Sequence, residues 1–258
     1  MNRYNSRDTL NRAQPRSGYA PVSAIDPGRD GLVGTGDDAP FTVYERLVPA
    51  GSDLYLTNFD SGEYYDTLEM SATKRFRNGS QIVTGWDTTK RHLGDSISND
   101  PNQTIYNGAN RVVTKQWTYK VVGNYALRWN SSVSGSYSIQ KGEPYNRTVQ
   151  FTSALLVNHP GALAQGNTTV TVEPASHFYR PDVHLTNVRF EKSFRRTASQ
   201  RLTGIFELYN IVNSNVVIGT NSVTGRTTDR NGKNVPSFDR VTQILSPRIF
   251  RLGVRVDF

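Results

Sequence analysis

The chain has 258 residues, no cysteine, and 30 Lys and Arg against 22 Asp and Glu, for a net charge of +8. The lack of cysteine excludes a disulfide framework, thiolate zinc sites and Cys nucleophiles, and no run approaches the ~20 apolar residues of a membrane-crossing helix. The basic residues are scattered and alternate with apolar ones instead of forming a compact tract, which argues against nucleic acid as a partner.

Residues 1–13 are polar and weakly patterned and read as the stump of a strand; without an apolar h-region they make no signal peptide. Residues 14–62, rich in Pro, Gly and Asp, read as a loop with short β-like pieces at Phe41–Arg46 and Asp53–Thr57. A strand follows over Glu63–Phe76, with Leu68, Met70, Ala72 and Phe76 on one parity and Thr67, Glu69, Ser71, Thr73 and Arg75 on the other. Period-two alternation gives a strand one apolar and one polar face. Arg77-Asn78-Gly79-Ser80 is a tight hairpin signal, since Asn-Gly accepts positive φ readily, and Gln81–Thr89 is its partner.

Residues 90–114 are too polar for a core element and read as a second loop. Beyond it Trp117, Tyr119, Val121, Gly123, Tyr125, Leu127 and Trp129 share one face, with aromatics at both ends and small or aliphatic residues between. A turn near Asn130-Ser131 leads to Val133, Gly135, Tyr137 and Ile139, whose opposite face is almost pure serine, a surface that suits water better than a protein core. Residues 141–181 form a third loop with a β-like patch at Thr168–Val172. Strands over Asp182–Phe194 and Arg201–Asn213 flank the short turn Arg195–Gln200. A fourth loop, 214–246, precedes the closing segment Pro247–Phe258. There Phe250, Leu252, Val254, Val256 and Phe258 alternate with Arg251, Gly253, Arg255 and Asp257.

Connections thus alternate short and long, and about eight strands result when the stump is counted. Together with 13 Tyr, 11 Phe and 3 Trp in a polar chain, this pattern predicts an all-β fold: an antiparallel transmembrane β-barrel segment with short periplasmic turns and long extracellular loops. A soluble β-sandwich, with the aromatics serving as β-formers, is the other reading of the same composition.

Chemistry-bearing motifs are few. Asp26, Asp30, Gly31 and Asp37 fall on positions one, five, six and twelve of a calcium-loop template; Gly28 stands where a third carboxylate would help, and ordinary turn chemistry explains the same residues. His92, His159, His177 and His184 lack metal-ligand spacing and read as solvated loop histidines. Glu63, Asp66 and Glu69 could suggest a carboxylate pair, but Glu69 on a polar strand face reads as a lumen charge. No nucleophile elbow, phosphate loop or dinucleotide fingerprint is present, so no enzyme is expected. Asn-x-Ser/Thr sequons at Asn78, Asn102, Asn130, Asn146 and Asn167 are what a Ser/Thr/Asn-rich chain produces by chance.

Five phrases carry a family resemblance: DPGRDGLVGTGDD (Asp26–Asp38), KGEPYNR (Lys141–Arg147), VRFEKSF (Val188–Phe194), FELYNIVNSN (Phe206–Asn215) and ILSPRIFRLGVRVDF (Ile244–Phe258). In this order they resemble the carboxyl-terminal portion of TonB-dependent outer-membrane receptors, in the branch with an amino-terminal carboxypeptidase-regulatory-like domain. The resemblance implies that residues 1–258 supply the last strands of a barrel of about twenty-two. Plug domain, TonB box and signal peptide are not found, so a fragment is expected, coupled to TonB only through the missing part. It implies import of a scarce extracellular solute (carbohydrate, siderophore or similar), a lumen lined by Lys120, Arg128, Arg189 and Glu191, and location in the bacterial outer membrane. Outer-membrane lipid and the barrel-assembly machinery are the implied partners, the latter reading the closing strand with Phe258 as its anchor. No cofactor is expected beyond a candidate calcium ion in the Asp26–Asp38 loop. The rival expectations are a stand-alone small barrel with a structural or adhesion role and a soluble carbohydrate-binding β-sandwich.

Overall fold

The computed structural model describes residues 16–47, 64–92, 100–105, 113–173, 177–195, 197 and 200–258. Its centre is a seven-stranded sheet of Tyr64–Arg75, Gln81–His92, Val113–Leu127, Ser131–Gln140, Val183–Arg195, Arg201–Tyr209 and Ile249–Asp257. The order in space is the order in the chain, and every neighbouring pair is antiparallel. The predicted all-β class is therefore correct, and among the described residues no helix is long enough or apolar enough to cross a membrane. Among those residues the sheet does not close: Tyr64–Arg75 and Ile249–Asp257 are its two edges. These are the seven long strands expected; the eighth, the predicted stump at 1–13, and the piece at Asp53–Thr57 lie outside the described residues.

Register converts separate period-two patterns into one surface. One row across the sheet is Ile82, Gly123, Gly135, Val188, Leu208 and Phe250. The next is Tyr125, Val133, Phe190, Phe206 and Leu252. Met70, Trp86, Tyr119 and Ile139 form another on the same side. A shift of one residue in any strand would have moved its whole apolar set to the other face. The resulting apolar face is uncovered: Met70, Tyr125, Phe194 and Phe250 are exposed, and Leu252 and Val254 are 70% and 72% exposed.

The short connections follow the predicted alternation. At Arg77–Ser80, Gly79 takes φ 80° and Ser80 N–H donates to Asn78 Oδ1 at 3.1 Å. The second turn is displaced from its expected place, because Trp129 and Asn130 occupy the left-handed region (φ 59° and 54°) and the preceding strand stops at Leu127. Arg128 therefore belongs to the turn and not to the polar strand face. Likewise the strand from Arg201 ends at Tyr209, four residues short of Asn213, since Asn210 turns to φ 50°.

The four segments read as loops need the largest correction. Residues 14–62 contain a paired hairpin, Tyr19–Asp26 with Ala39–Arg46, of which the Phe41–Arg46 piece anticipated one arm. Strand Gln81–His92 runs into the second segment and Val113–Leu127 begins inside it, with a short helix, Pro101–Thr104, between them. In the third, Thr148–Phe151 pairs with Thr168–Thr171, and Val223–Thr224 from the fourth adds parallel to its other edge. These pieces share the main hydrophobic core among the described residues: Ala24, Val43, Val149, Phe151, Leu163, Val170 and Val172, with Phe41 stacked on Phe151 at 5.2 Å. Asn102 finishes the hairpin edge, taking Tyr44 N–H on Oδ1 at 2.7 Å and returning Nδ2–H to Tyr44 O at 2.8 Å, as a paired strand residue would. Within the described residues, the long connections form a folded cap.

Candidate functional site

Opposite the apolar surface, the other parity of the same strands builds a polar wall. Arg189, Glu207 and Arg251 are direct cross-strand neighbours. The Glu207 side chain is nearly buried between the two guanidiniums, pairing with Arg251 Nε and with Arg189 Nη1 at 3.4 Å. Arg189 also pairs with Glu191. Arg251 Nη2 donates to Tyr209 Oη at 3.1 Å and lies over that ring. Such alternation of sign satisfies these four charges locally.

Hydroxyls and amides continue the pattern. Asn187 Nδ2 donates to Ser136 Oγ at 3.1 Å, and Asn187 Oδ1 takes Asn210 N–H at 3.0 Å. Ser193 and Thr203 share a hydrogen bond of 2.8 Å, as do Thr67 and Thr89 at 3.1 Å. Beside Asn187 and the Arg189–Glu207 pair lies a groove of about 230 Å³, lined also by Val122, Ser134, Ser136 and Tyr209 among others. It offers hydroxyl, amide and paired-charge contacts to a polar solute.

Of the predicted lumen charges, Arg189 and Glu191 sit in this network, Lys120 is exposed on the same wall opposite Ser138, and Arg128 is in the turn. Sequence reasoning missed Glu207, Tyr209, Asn210 and Arg251 as members. The signal was available: hairpin pairing about the Arg195–Gln200 turn sets Arg189 against Glu207, and their parity is the polar one. Asn210 has a separate role, with Nδ2 donating to Ser214 O and Ser246 O, each at 2.9 Å, and Oδ1 taking Ser214 N–H. One buried amide thus ties both ends of the fourth long segment to the strand end.

The cap is locked by Arg147, which is buried. Its Nη1 donates to Asp26 Oδ1 at 2.7 Å, to Gly28 O at 2.8 Å and to Thr224 Oγ1 at 3.2 Å, while Nε reaches Glu173 Oε1 at 2.9 Å. Burial opposes its charge, but the bonds to Asp26 and Glu173 outweigh that and raise its pKa above the ordinary arginine value. Three of the long segments meet on this side chain. Tyr145, two residues earlier, donates to Asp239 Oδ1 at 2.8 Å; burial first, then that carboxylate, pushes its hydroxyl up to about 12.

The Asp26–Asp38 loop is organised by these contacts and by its own backbone. Asp26 faces Arg147. Asp37 Oδ2 takes the N–H groups of Arg29 (2.7 Å) and Asp30 (3.3 Å), and Thr35 Oγ1 donates to its Oδ1 at 2.7 Å. Those bonds, the one from Thr35 first, hold Asp37 below the usual carboxylate range. Asp30 Oδ1 takes Leu32 N–H. The three carboxylates thus point to different partners, and among the described residues no group of three or more His, Asp or Glu is arranged to hold a metal ion. Gly28 has φ 60° and a Cβ there would lie 2.1 Å from Asp37 Oδ2; at Gly31, with φ 68°, it would lie 2.6 Å from Gly225 O. Both glycines are required by close approach, which also accounts for the Gly at position six of the template.

The histidines are mostly engaged. His159 donates from Nδ1 to Gly161 O at 2.8 Å and contacts Glu45 Oε2 through Nε2 at 3.1 Å. His92 is buried at a strand end beside Asp66, and His184 stands on a strand against Tyr137. The solvated-loop reading is thus corrected for His92 and His159, and for His184, which is exposed but on a strand, whereas His177 is exposed outside any strand, as expected. On the closing strand Phe250, Leu252, Val254 and Val256 point to the apolar side in register with Leu208, Phe206, Gly204 and Leu202, and Phe258 beyond it is 91% exposed. No family model, curated protein or solved structure matches this chain.

Proposed function

We propose that the chain is the carboxyl-terminal barrel segment of a TonB-dependent outer-membrane receptor, which binds and imports a scarce extracellular solute. The observation that carries this reading is a single sheet with an uncovered apolar face and a hydrogen-bonded, charge-paired opposite face. Contiguous exposed apolar surface of this extent marks a membrane or an interface. From Trp117 to Leu127 the apolar face runs about 34 Å at ~3.4 Å per residue, and a strand tilt of ~40° reduces this to about 26 Å. That is close to the ~25 Å apolar band of outer-membrane barrels. Short turns at one end and a folded cap at the other fit periplasmic and extracellular sides, with the polar groove as the lumen wall. The two open edges are where further strands of a larger barrel would pair.

The test is quenching of tryptophan fluorescence by brominated acyl chains after refolding into phosphatidylcholine vesicles. Trp86 and Trp117 lie on the apolar face, so strong quenching is expected. A chain that is folded and monomeric in plain buffer, with no quenching on addition of vesicles, contradicts the proposal and favours a soluble β-sandwich.

A further inference from the structure

The apolar face is not uniform from end to end. Toward the short turns it carries Lys74, opposite Ile82, and Lys192, opposite Gly204. A lysine on a lipid-facing position is costly at mid-membrane and nearly free at the interface, where its stem lies along apolar surface and its ammonium reaches the headgroups. Both side chains lie against aromatic rings, Lys74 Nζ 6.0 Å from the centroid of Phe76 and Lys192 Nζ 5.7 Å from that of Phe194. Arg77 joins them at the first turn.

Beside these cations lies a hollow of about 650 Å³, lined by Phe76, Arg77, Ile82, Gly123, Tyr125 and Val133 among others. Gly123 in its floor lies between Ile82 and Tyr125 and is directly opposite Gly135, so a furrow where two side chains are missing runs on from the hollow. Its volume falls in the range of small-molecule sites. Among the described residues none of Lys74, Arg77 or Lys192 forms an ion pair with a carboxylate. Arg75, Arg128, Arg195 and Arg201 stand at the same end, against Glu191 and Asp257.

We infer that this hollow is a binding site for an anionic glycerophospholipid. One acyl chain would lie in the Gly123–Gly135 furrow against Ile82 and Tyr125, and the phosphate would sit between Lys74 and Arg77. The inference rests on the barrel reading above, since it needs this face to border lipid. Charge complementarity selects the occupant: the apolar floor takes a hydrocarbon chain, and the cations at its rim require a negative head. A second copy of the chain would bring a like-charged rim against this one, which opposes pairing.

The experiment is native mass spectrometry of the full chain refolded in neutral detergent and titrated with phosphatidylglycerol, phosphatidylcholine or glycerol phosphate. Wild type should retain phosphatidylglycerol at a concentration at least five-fold lower than phosphatidylcholine. K74Q/R77Q should remove that preference, G123L should weaken both lipids, and glycerol phosphate alone should bind poorly. Equal retention of the two lipids, a preference unchanged in K74Q/R77Q, equal binding of glycerol phosphate, or dimerisation that excludes lipid overturns the site. Quenching by brominated acyl chains, after transfer of the same chain into phosphatidylcholine or phosphatidylglycerol vesicles, keeps the two proposals separate. With quenching and no headgroup preference only the lipid site fails; without quenching in vesicles of either composition the barrel reading fails and takes the lipid site with it.

Discussion

The sheet and the cap are built from the same residue types and place them oppositely. In the cap Val149, Phe151 and Val170 are each 1% exposed and an arginine is buried among two carboxylates. In the sheet, Leu252 and Val254 are mostly exposed, and the best-buried side chains include the polar Thr203 and Glu207. The cap obeys the rule of water-soluble proteins, and the sheet inverts it on one face. What differs is where the apolar surface goes: the cap makes its own apolar interior, whereas the sheet leaves its apolar face uncovered, as the proposed barrel requires.

This contrast predicts unequal responses to similar mutations. The largest effect belongs to Arg147→Ala, which leaves Asp26 buried without its partner and should cost about 4 kcal/mol of cap stability, since breaking a buried pair by removing one member is severe. Denaturant unfolding followed by near-UV circular dichroism would report it. Phe151→Ala should cost about 3 kcal/mol in the same assay through the cavity left beside Phe41, whereas Leu252→Ala in the sheet should leave that transition where it is. A smaller effect with the opposite locus is expected of Leu252→Arg: about 2 kcal/mol against vesicle insertion, read by partitioning, with the cap transition unmoved.

The smallest effect concerns pH. The Gly161 carbonyl first, then Glu45, raises the pKa of His159 above its ordinary 6.5. The bond with His159 lowers Glu45 below its ordinary 4.5, with Ala164 N–H contributing. A raised histidine gives its full contribution below 6.5 and loses it as pH rises through its folded value. A lowered carboxylate gives its full contribution above 4.5 and loses it as pH falls through its folded value. The pair should therefore support the cap most between pH 4.5 and 6.5. His159→Gln should flatten the Tm profile on the alkaline side of that window, as measured by scanning calorimetry.

The two regions also differed in how far the sequence could be read. Each long strand announces itself locally, because a half-buried strand of nine or more residues imposes period two on its own text. Leu68–Met70–Ala72 and Phe250–Leu252–Val254 needed no partner to be recognised. The cap gives no such signal. Its strands are two to eight residues long, and the contact that locks it joins Asp26 to Arg147 across 121 positions. Nothing in the text around Arg147 distinguishes a buried guanidinium from a solvated one. The polar wall lies between these cases: Arg189 and Glu191 were legible by parity, but the burial of Glu207 depends on register with both neighbours. Arg128 went astray because a left-handed Trp129 is a rare turn residue, so the alternation was carried two residues past the strand's end at Leu127.

In the proposed barrel the two faces of the closing strand meet different media, and nitroxide scanning of residues 249–257 in reconstituted vesicles tests that directly. Labels at 250, 252, 254 and 256 should be relaxed strongly by oxygen and weakly by a water-soluble nickel chelate, and labels at 251, 253 and 255 the reverse. Accessibility to the chelate that is equal along the strand, with no period of two, would contradict it.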